Sequence, residues 1–384
     1  MVWHVLDVRA VWIKEFASAL AEQVPALAWC PRITNGGMFR NREEETTLDD
    51  PCLPIRYFPL QRGFAKFPVM PIAREGERIT QRLLRRSENP TASTLICTAP
   101  HYAPVAERWP GPVVYYVTDL FIAYGGADPG FINSLDRRMC AAAALVCPNS
   151  RRIADYLIEK AFCAASKIVV LPNATRKASL LTHSAQAFSE TPPDIADLPR
   201  PMAGVIGNLS SNTDWELLKA TIAKTAWLSW IFVGPTAMPI NEPDQNHARD
   251  FLMQHGGTVR FVGPKPYGQL KDYARAFDVA ILPYRGIEPT FSGSSTRFYE
   301  HLAACAPIIA TRGFEELLHK EPLLHLVNTS EEMATALEEL RQTGFRDGLE
   351  DRRWQASQSE TWETRALSMR NALSERFGRG QEAA

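Results

Sequence analysis

The chain has 384 residues, a formal net charge of −1, 45% hydrophobic residues and 22% charged residues. This length exceeds what one hydrophobic core usually fills, so two domains are expected, and the ordinary composition excludes a disordered or fibrous protein. A nearly neutral chain without a recognisable binding module also argues against nucleic acid as a partner.

Short apolar runs separated by helical patterns recur along the first half of the chain. They cover residues 2–6, 94–98, 113–117, 144–147 and 168–171. Alternation of this kind is typical of buried parallel strands covered by helices. It predicts a first doubly wound α/β domain over residues 1–182.

The N-terminus and the cysteines bear on the compartment. Asp7, Arg9, Lys14 and Glu15 interrupt the first apolar residues, so the continuous core of a signal peptide is not expected. No apolar run approaches membrane-spanning length. Seven cysteines without a Cys-x-x-Cys pair are typical of free thiols in a reducing compartment. The sequence predicts a cytoplasmic protein, either soluble or peripheral on the inner face of a membrane.

A basic stretch extends from Arg56 to Arg86, with aromatic residues between its cations. Its basic residues are Arg56, Arg62, Lys66, Arg74, Arg78, Arg82, Arg85 and Arg86. Such a segment can dock on anionic lipid, at about 1 kcal/mol per cation near the surface. A solvated helix face combined with core aromatics explains the same pattern. Both interpretations stay open at this point.

A second series of apolar runs follows a proline-rich segment. The runs cover 202–206, 230–233, 259–262, 279–282, 308–310 and 323–327. Residues 183–200 are expected to form a linker between the domains, and residues 201–355 a second doubly wound domain. Residues 356–384 are expected to form a helix that packs across domains and returns to the first one, because its apolar side chains fall on one face. These side chains are Trp362, Ala366, Met369, Leu373 and Phe377. Two such domains leave a cleft at the carboxyl ends of their strands.

The segment between Asp278 and Glu300 is the most informative part of the chain. A short strand is followed by a loop with Pro283, Gly286 and Pro289, and a helix is expected to begin near Ser294. Small residues at the start of a helix leave backbone N–H groups accessible, and the helix dipole favours an anion such as phosphate there. The pattern therefore predicts an anion site.

These segments together resemble the nucleotide-sugar glycosyltransferases built from two Rossmann-like domains, the GT-B group. The resemblance covers residues 201–311 and rests on VIGN at 205–208, FVGP at 232–235, VRFVGPKPY at 259–267, YARAFDVAILPY at 273–284 and the loop and helix that follow. It implies an α/β fold with two doubly wound domains facing a cleft, and a nucleoside diphosphate sugar as donor.

The resemblance also implies roles for individual residues. Glu300 would hold the ribose hydroxyls, and Arg297 the diphosphate. Residues 263–267 would lie beside the base. The residues expected to contact the donor are Asn208, Gly263, Lys265, Tyr284, Gly293, Ser294, Ser295, Thr296, Arg297 and Glu300. Two alternatives stay open, since a glutamate on a helix is commonly exposed to solvent and Arg297 can be a surface charge paired with it.

In the first half, VVYYVTDLF at 113–121 resembles the strand-end segment of polysaccharide-assembly members such as the glucuronosyltransferase of xanthan synthesis. The resemblance implies that Asp119 is the catalytic base if the reaction inverts configuration. A turn or helix N-cap role explains an aspartate there equally well.

Two departures from the family pattern leave the stereochemical course open. Many retaining relatives carry a glutamate where this chain has Ser292, and many carry an Arg and a Lys where this chain has residues 207–212 without a cation. The eight histidines show no metal-ligand spacing and no Asp-x-Asp pair is present, so neither a metal nor a cofactor other than the donor is expected.

The leading hypothesis is a glycosyltransferase of the hexosyltransferase type that uses a nucleoside diphosphate sugar, a UDP-sugar first, and a saccharide or lipid-linked acceptor. Cell-surface polysaccharide synthesis is the expected setting. A nucleotide-sugar epimerase and a non-catalytic nucleotide- or saccharide-binding subunit are the alternatives.

Overall fold

The computed structural model describes residues 2–34, 53–61, 70–125, 127–160, 162–184, 191–236 and 240–382. Arg62 and Lys66 of the basic stretch, and Cys52, lie outside the described residues.

The described residues form twelve strands and twelve α-helices that alternate along most of the chain. The strands are β1 (Trp3–Leu6), β2 (Ala26–Thr34), β3 (Ile55–Gln61), β4 (Thr94–Cys97), β5 (Val113–Val117), β6 (Leu145–Pro148), β7 (Met202–Ile206), β8 (Ser229–Val233), β9 (Val259–Gly263), β10 (Val279–Leu282), β11 (Ile308–Thr311) and β12 (His325–Val327). The helices are α1 (Val11–Ala21), α2 (Met70–Leu84), α3 (Ala103–Ala106), α4 (Pro129–Ala142), α5 (Arg151–Glu159), α6 (Trp215–Lys224), α7 (Pro243–His255), α8 (Leu270–Ala276), α9 (Thr296–Ala304), α10 (Ser330–Gln342), α11 (Glu350–Ser357) and α12 (Trp362–Glu382).

In the described part of the chain the strands form two parallel sheets of six, and helices connect most of the successive strands. The first sheet has the order β3-β2-β1-β4-β5-β6, and the second has the order β12-β11-β10-β7-β8-β9. Both are the doubly wound order of a Rossmann fold, in which the chain reverses its direction of travel beside the first strand. The predicted α/β class with two Rossmann-like domains is confirmed.

All six strands predicted for the second sheet are present within one or two residues. β2 and β3 were not predicted, because Pro31 and Pro59 interrupt their patterns and proline usually argues against a sheet interior. β2 tolerates Pro31 because β1 ends at Leu6, opposite Trp29, so Pro31 lies beyond the reach of β1. β3 tolerates Pro59 because it is an edge strand.

The expected strand at 168–171 is an extended segment rather than part of the sheet ladder. Ile168 forms an isolated parallel bridge with Val146. Val169 and Leu171 donate to the carbonyl oxygens of Val146 and Pro148, at 3.0 and 2.8 Å. The segment therefore follows β6 without becoming a seventh strand.

The division of the chain differs from the predicted boundaries. One compact unit contains residues 1–173 and 362–384, and the other contains Ala174–Thr361. The described part of the expected linker belongs to the second unit, where Ile195 and Leu198 are buried in the core. Arg260 donates to the carboxylate of Asp197 at 2.9 Å and ties the same segment to β9. The prolines of the expected linker do indicate irregular backbone, but that backbone packs against the second unit instead of forming a free connection.

Helix α12 returns to the first unit, as expected from the apolar stripe of the chain's last segment. Trp362, Ala366, Met369 and Leu373 are buried. Gln23, just after α1, donates to the carbonyl oxygen of Glu363 at 2.8 Å. The stripe was predicted to continue to Phe377, whose side chain lies outside the described residues.

Candidate functional site

The candidate site lies where the second sheet changes direction. β7 and β10 are neighbours there, and the strands that follow each of them lie on opposite sides. Open parallel sheets bind ligands at the carboxyl ends of their strands at such a point. Gly207 follows β7 with a φ of 146°, and a side chain at Gly234 would come within 1.8 Å of the Gly207 carbonyl oxygen. Two glycines therefore keep the ends of β7 and β8 close together.

Arg297 extends from the first turn of α9 towards this opening. Its Nε atom would lie 3.5 Å from a Cβ placed on Gly207. Its guanidinium carbon lies 5.9 Å from the centre of the Tyr267 ring. The Nη1 atom is buried and has no hydrogen-bond partner among the described residues. Since buried polar groups are usually paired, this nitrogen is suited to an anionic ligand from outside the chain.

Glu300 lies one helical turn after Arg297 and is only 3% exposed. The Tyr267 hydroxyl donates to one carboxylate oxygen, and the Thr175 hydroxyl donates to the other at 3.4 Å. Burial raises the pKa of Glu300, although hydrogen bonds from Tyr267 and Thr175 and the charge of Arg297 oppose that shift. The alternative of a solvent-exposed glutamate is therefore wrong, and no ion pair joins these two described residues, Arg297 and Glu300.

The N-terminus of α9 is capped by the chain's own groups. Ser295 is the N-cap, and its hydroxyl accepts from the Phe298 N–H at 3.3 Å. The Ser295 N–H donates to the Glu316 carboxylate at 3.0 Å. The Ser292 N–H and hydroxyl donate to the Glu288 carboxylate at 3.2 and 2.7 Å. Two backbone N–H groups that we expected to be accessible to phosphate are thus occupied by carboxylates.

Lys265 is engaged in the second unit rather than free. Its ammonium group donates to Asp194 at 2.6 Å and lies 5.6 Å from the centre of the Tyr273 ring. Tyr273 donates to the same carboxylate at 2.8 Å. The Asp194 charge raises the pKa of Lys265 through this hydrogen bond. Its cation is therefore neutralised locally.

The other expected donor residues surround the same strand ends. Tyr284 follows β10 and packs edge-on against Phe314, with ring centres 4.7 Å apart. Gly263 ends β9 with a φ of 72°, and apart from its chain neighbours no described residue has an atom within 4 Å of a Cβ placed there. Asn208 is exposed after β7. The remaining members, Gly293, Ser294 and Thr296, lie in the turn that begins α9.

Asp119 lies in the first unit, directly after β5, and is half-buried. Its carboxylate accepts from the hydroxyls of Tyr124 and Thr118 at 3.1 and 3.3 Å. Burial raises the pKa of Asp119 to about 6 against these two hydrogen bonds. It does not cap either of the next two described helices, because Leu120 is the N-cap of the short 3-10 helix Phe121–Ala123 and Asp128 caps α4. Its environment suits a proton acceptor that works near neutral pH.

Sequence reasoning did not identify the partners of the site residues. Thr175 lies far from Glu300 in the chain, and Glu316 reaches Ser295 from a loop after β11. Glu288 lies within the informative segment, but its contact with Ser292 depends on the loop conformation. Spacing in the sequence carries no signal for such contacts.

Among the described residues, no group of three or more His, Cys, Asp or Glu side chains is arranged to hold a metal ion. In the same part of the chain, no helix has the length and apolar character needed to cross a membrane.

Comparison with known proteins identifies the fold. No protein-family model and no curated protein sequence matches the chain. Among solved structures, sucrose-phosphate synthase from Thermosynechococcus elongatus is similar with a TM-score of 0.72 and 15% identity, over 99% of this chain and 100% of that one. Anabaena HepE in complex with UDP-glucose is similar with a TM-score of 0.68 and 17% identity, over 98% and 100%.

A trehalose-phosphate synthase from Burkholderia xenovorans, in complex with glucose-6-phosphate, is similar with a TM-score of 0.68 and 11% identity, over 97% of this chain and 99% of that one. These likenesses span both units. The chain therefore has the GT-B fold.

Proposed function

We propose that the protein is a glycosyltransferase that moves a sugar from a nucleoside diphosphate sugar to a saccharide or lipid-linked acceptor. The observation that carries the proposal is the buried, unpartnered Nη1 of Arg297, one turn before the buried carboxylate of Glu300 at the switch point of the second sheet. At this spacing the Arg297 cation can bind a diphosphate while the Glu300 carboxylate accepts hydrogen bonds from the ribose attached to it.

UDP is the first nucleotide to test, since Anabaena HepE, of the same fold, binds UDP and UDP-glucose. Calorimetry with UDP, GDP and ADP gives the direct measurement. Replacing Arg297 by Ala removes charge-assisted hydrogen bonds worth about 1.5–3 kcal/mol, so the affinity for the preferred nucleotide should fall roughly tenfold to a hundredfold. The matched control is Arg341→Ala, which removes an exposed cation of α10 in the same unit. Equal affinities in the two variants would reject the assignment.

We further propose that Asp119 deprotonates the acceptor hydroxyl in an inverting transfer. The pKa near 6 supports this role, because the carboxylate is ionised at neutral pH yet basic enough to take a proton. Turnover should fall as the pH is lowered through about 6. Asp119→Asn should lose that turnover while it keeps the nucleotide affinity of the wild type. Near-full turnover of the Asp119→Asn variant would show that Asp119 is not the catalytic base.

The setting that we propose is cell-surface polysaccharide synthesis at the cytoplasmic face of a membrane, with a hexose as the transferred sugar. Exposed arginines on α2 and β3 support a location close to anionic lipid. The reaction as proposed uses no cofactor besides the donor. A screen of lipid-linked and free saccharides, with UDP release as the signal, tests both the acceptor class and the hexosyl type.

A binding subunit without catalysis remains the second candidate, because Glu288 and Glu316 occupy N–H groups at the start of α9. Saturable nucleotide-sugar binding without hydrolysis or transfer across the acceptor panel would favour it. An epimerised donor formed without any acceptor would instead favour an epimerase.

A further inference from the structure

A pocket of about 440 Å³ lies in the first unit beside the edge strand β3 and the C-terminal end of α2. Its lining includes Arg56, Arg82, Arg85 and Arg86 together with the buried Trp29 and the half-buried Ile55. No residue of the candidate nucleotide site belongs to it, since those residues are in the second unit.

The four arginines converge because of the sheet register and the helix direction. Arg56 pairs with Trp29 across β2 and β3. Its neighbour two residues on, Phe58, shares a core cluster with Leu83 of α2, so this end of β3 lies against α2. Arg82 is in the last turn of α2, and Arg85 and Arg86 follow directly.

These arginines carry charge that the described chain does not neutralise. All four are exposed and none forms an ion pair with a described residue. Glu75 is already paired with Arg78 at 2.5 Å, and Glu77 accepts from Gln81 at 3.4 Å. The C-terminal end of α2 offers about half an elementary negative charge, which offsets only a fraction of four cations.

Guanidinium groups gathered in a concave site are suited to a phosphate. Each can donate two parallel hydrogen bonds to phosphate oxygens, which a single lysine cannot match. The volume falls within the range of small-molecule sites, roughly 300–1,000 Å³. An anion of more than one charge offsets the mutual repulsion among the four cations better than a singly charged one. Trp29 and Ile55 add an apolar wall to the site.

We propose that this pocket binds a phosphate-bearing anion with at least two negative charges. Two sources share that chemistry, a soluble phosphorylated molecule and the head group of an anionic lipid. The proposal stands apart from the nucleotide site, and it does not depend on the glycosyltransferase assignment.

The test compares two pocket variants with one control in the full-length chain. Arg82→Gln with Arg86→Gln, and Arg56→Gln with Arg85→Gln, each remove two pocket cations. Arg74→Gln with Arg151→Gln removes two exposed cations of the same unit that do not line the pocket.

All three double variants are made in an Arg297→Ala background, so that the candidate nucleotide site contributes less to anion binding. Inorganic diphosphate is titrated by calorimetry in the first arm. Vesicles of phosphatidylcholine, with or without added phosphatidic acid, are sedimented with the protein in the second arm.

For a soluble ligand, we expect diphosphate to bind with one-to-one stoichiometry, and each pocket variant to lose at least about tenfold in affinity while the control does not. For a lipid head group, we expect binding to acidic vesicles to fall roughly twenty- to thirtyfold in both pocket variants, from about 1 kcal/mol per arginine. Either result supports the anion site and shows whether its ligand is a soluble phosphate or a lipid head group. Equal binding by pocket variants and control in both arms overturns the proposal. Circular dichroism before each titration verifies that a variant is folded, and the second pocket variant replaces one that is not.

Discussion

At the scale of single residues, burial and the Tyr267 hydroxyl act in opposite directions on the pKa of Glu300. The carboxyl group is nearly without solvent contact, so burial favours its neutral form, and the Tyr267 hydroxyl is the leading group that opposes this. A ribose hydroxyl donates a stronger hydrogen bond to a carboxylate than to a carboxylic acid. The affinity of the proposed nucleotide ligand should therefore follow the ionisation of Glu300.

Replacing Tyr267 by Phe should raise the pKa of Glu300 further. Nucleotide affinity should then begin to fall at a higher pH than in the wild type when the pH is lowered from 8 to 5.5. Calorimetric titration of UDP across that range measures the shift. Tyr273→Phe is the matched control, because its hydroxyl bonds Asp194 in the same unit and does not contact Glu300. Identical pH profiles for Tyr267→Phe and the wild type would contradict this prediction.

At the scale of elements, α4 is joined to β5 by a buried carboxyl group. The Tyr115 hydroxyl donates to Asp136 at 2.7 Å, and both side chains are buried. Burial raises the pKa of Asp136 to about 7, with the Tyr115 hydrogen bond acting in the opposite direction. The folded state thus keeps this proton at pH values where the unfolded state has released it.

The sign of the resulting pH effect follows from linkage. With a folded pKa above the unfolded value, the contribution of Asp136 to stability is fully present at low pH and is lost as the pH rises to about 7. The Asp136→Asn variant has no carboxyl group at this position, so its stability does not include this pH-dependent loss. Its free energy of unfolding relative to the wild type should therefore rise by about 2–3 kcal/mol between pH 5 and pH 8, at 1.36 kcal/mol per pKa unit.

Urea unfolding at pH 5 and pH 8 measures this difference. Asp155→Asn, at an exposed position of α5, is the control for replacing a carboxylate outside the core. A pH-independent effect of Asp136→Asn would show that its proton is not linked to folding.

Helix α11 is anchored within the second unit by a buried cation. Arg353 is fully buried, donates to the carbonyl oxygen of Leu323 at 2.8 Å, and forms a two-pronged ion pair with Asp347. Arg353→Ala removes the two-pronged partner of Asp347, whose carboxylate then keeps, among the described residues, only the Leu349 N–H and His325, and should cost about 3–5 kcal/mol of stability. Thermal and urea unfolding of the full chain measure this.

The double variant Asp347→Leu with Arg353→Met is the informative comparison. It removes both charges and refills the volume, so it should recover much of the loss caused by Arg353→Ala. If the double variant were as unstable as the single one, packing rather than the uncompensated charge would account for the destabilisation.

At the scale of the whole molecule, the two units use the chain differently. The second unit is continuous, whereas the first is completed only by α12, which buries Trp362 and Met369. A chain that ends at Thr361 should keep the second unit intact and lose protection in the first. Hydrogen exchange should show faster exchange in α1 and the first sheet, with amides of 174–361 unchanged.

A chain that ends at Phe377 is the matched control for that truncation. It loses seven residues but keeps the buried apolar side chains up to Leu373. It should exchange like the full chain. Equal protection of α1 in both truncated chains would mean that α12 does not stabilise the first unit.

Most of the second sheet could be predicted because its strands are short, continuous apolar runs. The motif comparison also led correctly to the GT-B fold. β2 and β3 were missed because their prolines are tolerated only for reasons of topology, one beyond the end of a neighbouring strand and the other at a sheet edge. The expected linker at 183–200 proved to belong to the second unit, so the observed domain boundary lies earlier than the predicted one. A high proline content indicates irregular backbone but does not show whether that backbone is exposed or packed, and here Ile195 is buried.

The sequence predicted which residues belong to the candidate site, but not the contacts that those residues make. The sequence indicated Arg297 and Glu300 at one-turn spacing, and both lie at the switch point. It did not indicate that Tyr267 would bind Glu300 or that Lys265 would be neutralised by Asp194, because these contacts join distant parts of the chain. The roles of these residues towards a nucleotide remain predictions.

The carboxylates of Glu288 and Glu316 have a consequence for any phosphate that binds at the start of α9. The helix is already supplied with negative charge by its own chain, so an incoming phosphate exchanges with a tethered competitor instead of filling an empty position. Such a competitor is always present at high local concentration and returns as soon as the phosphate leaves. If the protein uses a nucleoside diphosphate sugar as we propose, this competition should oppose rebinding of the released nucleoside diphosphate.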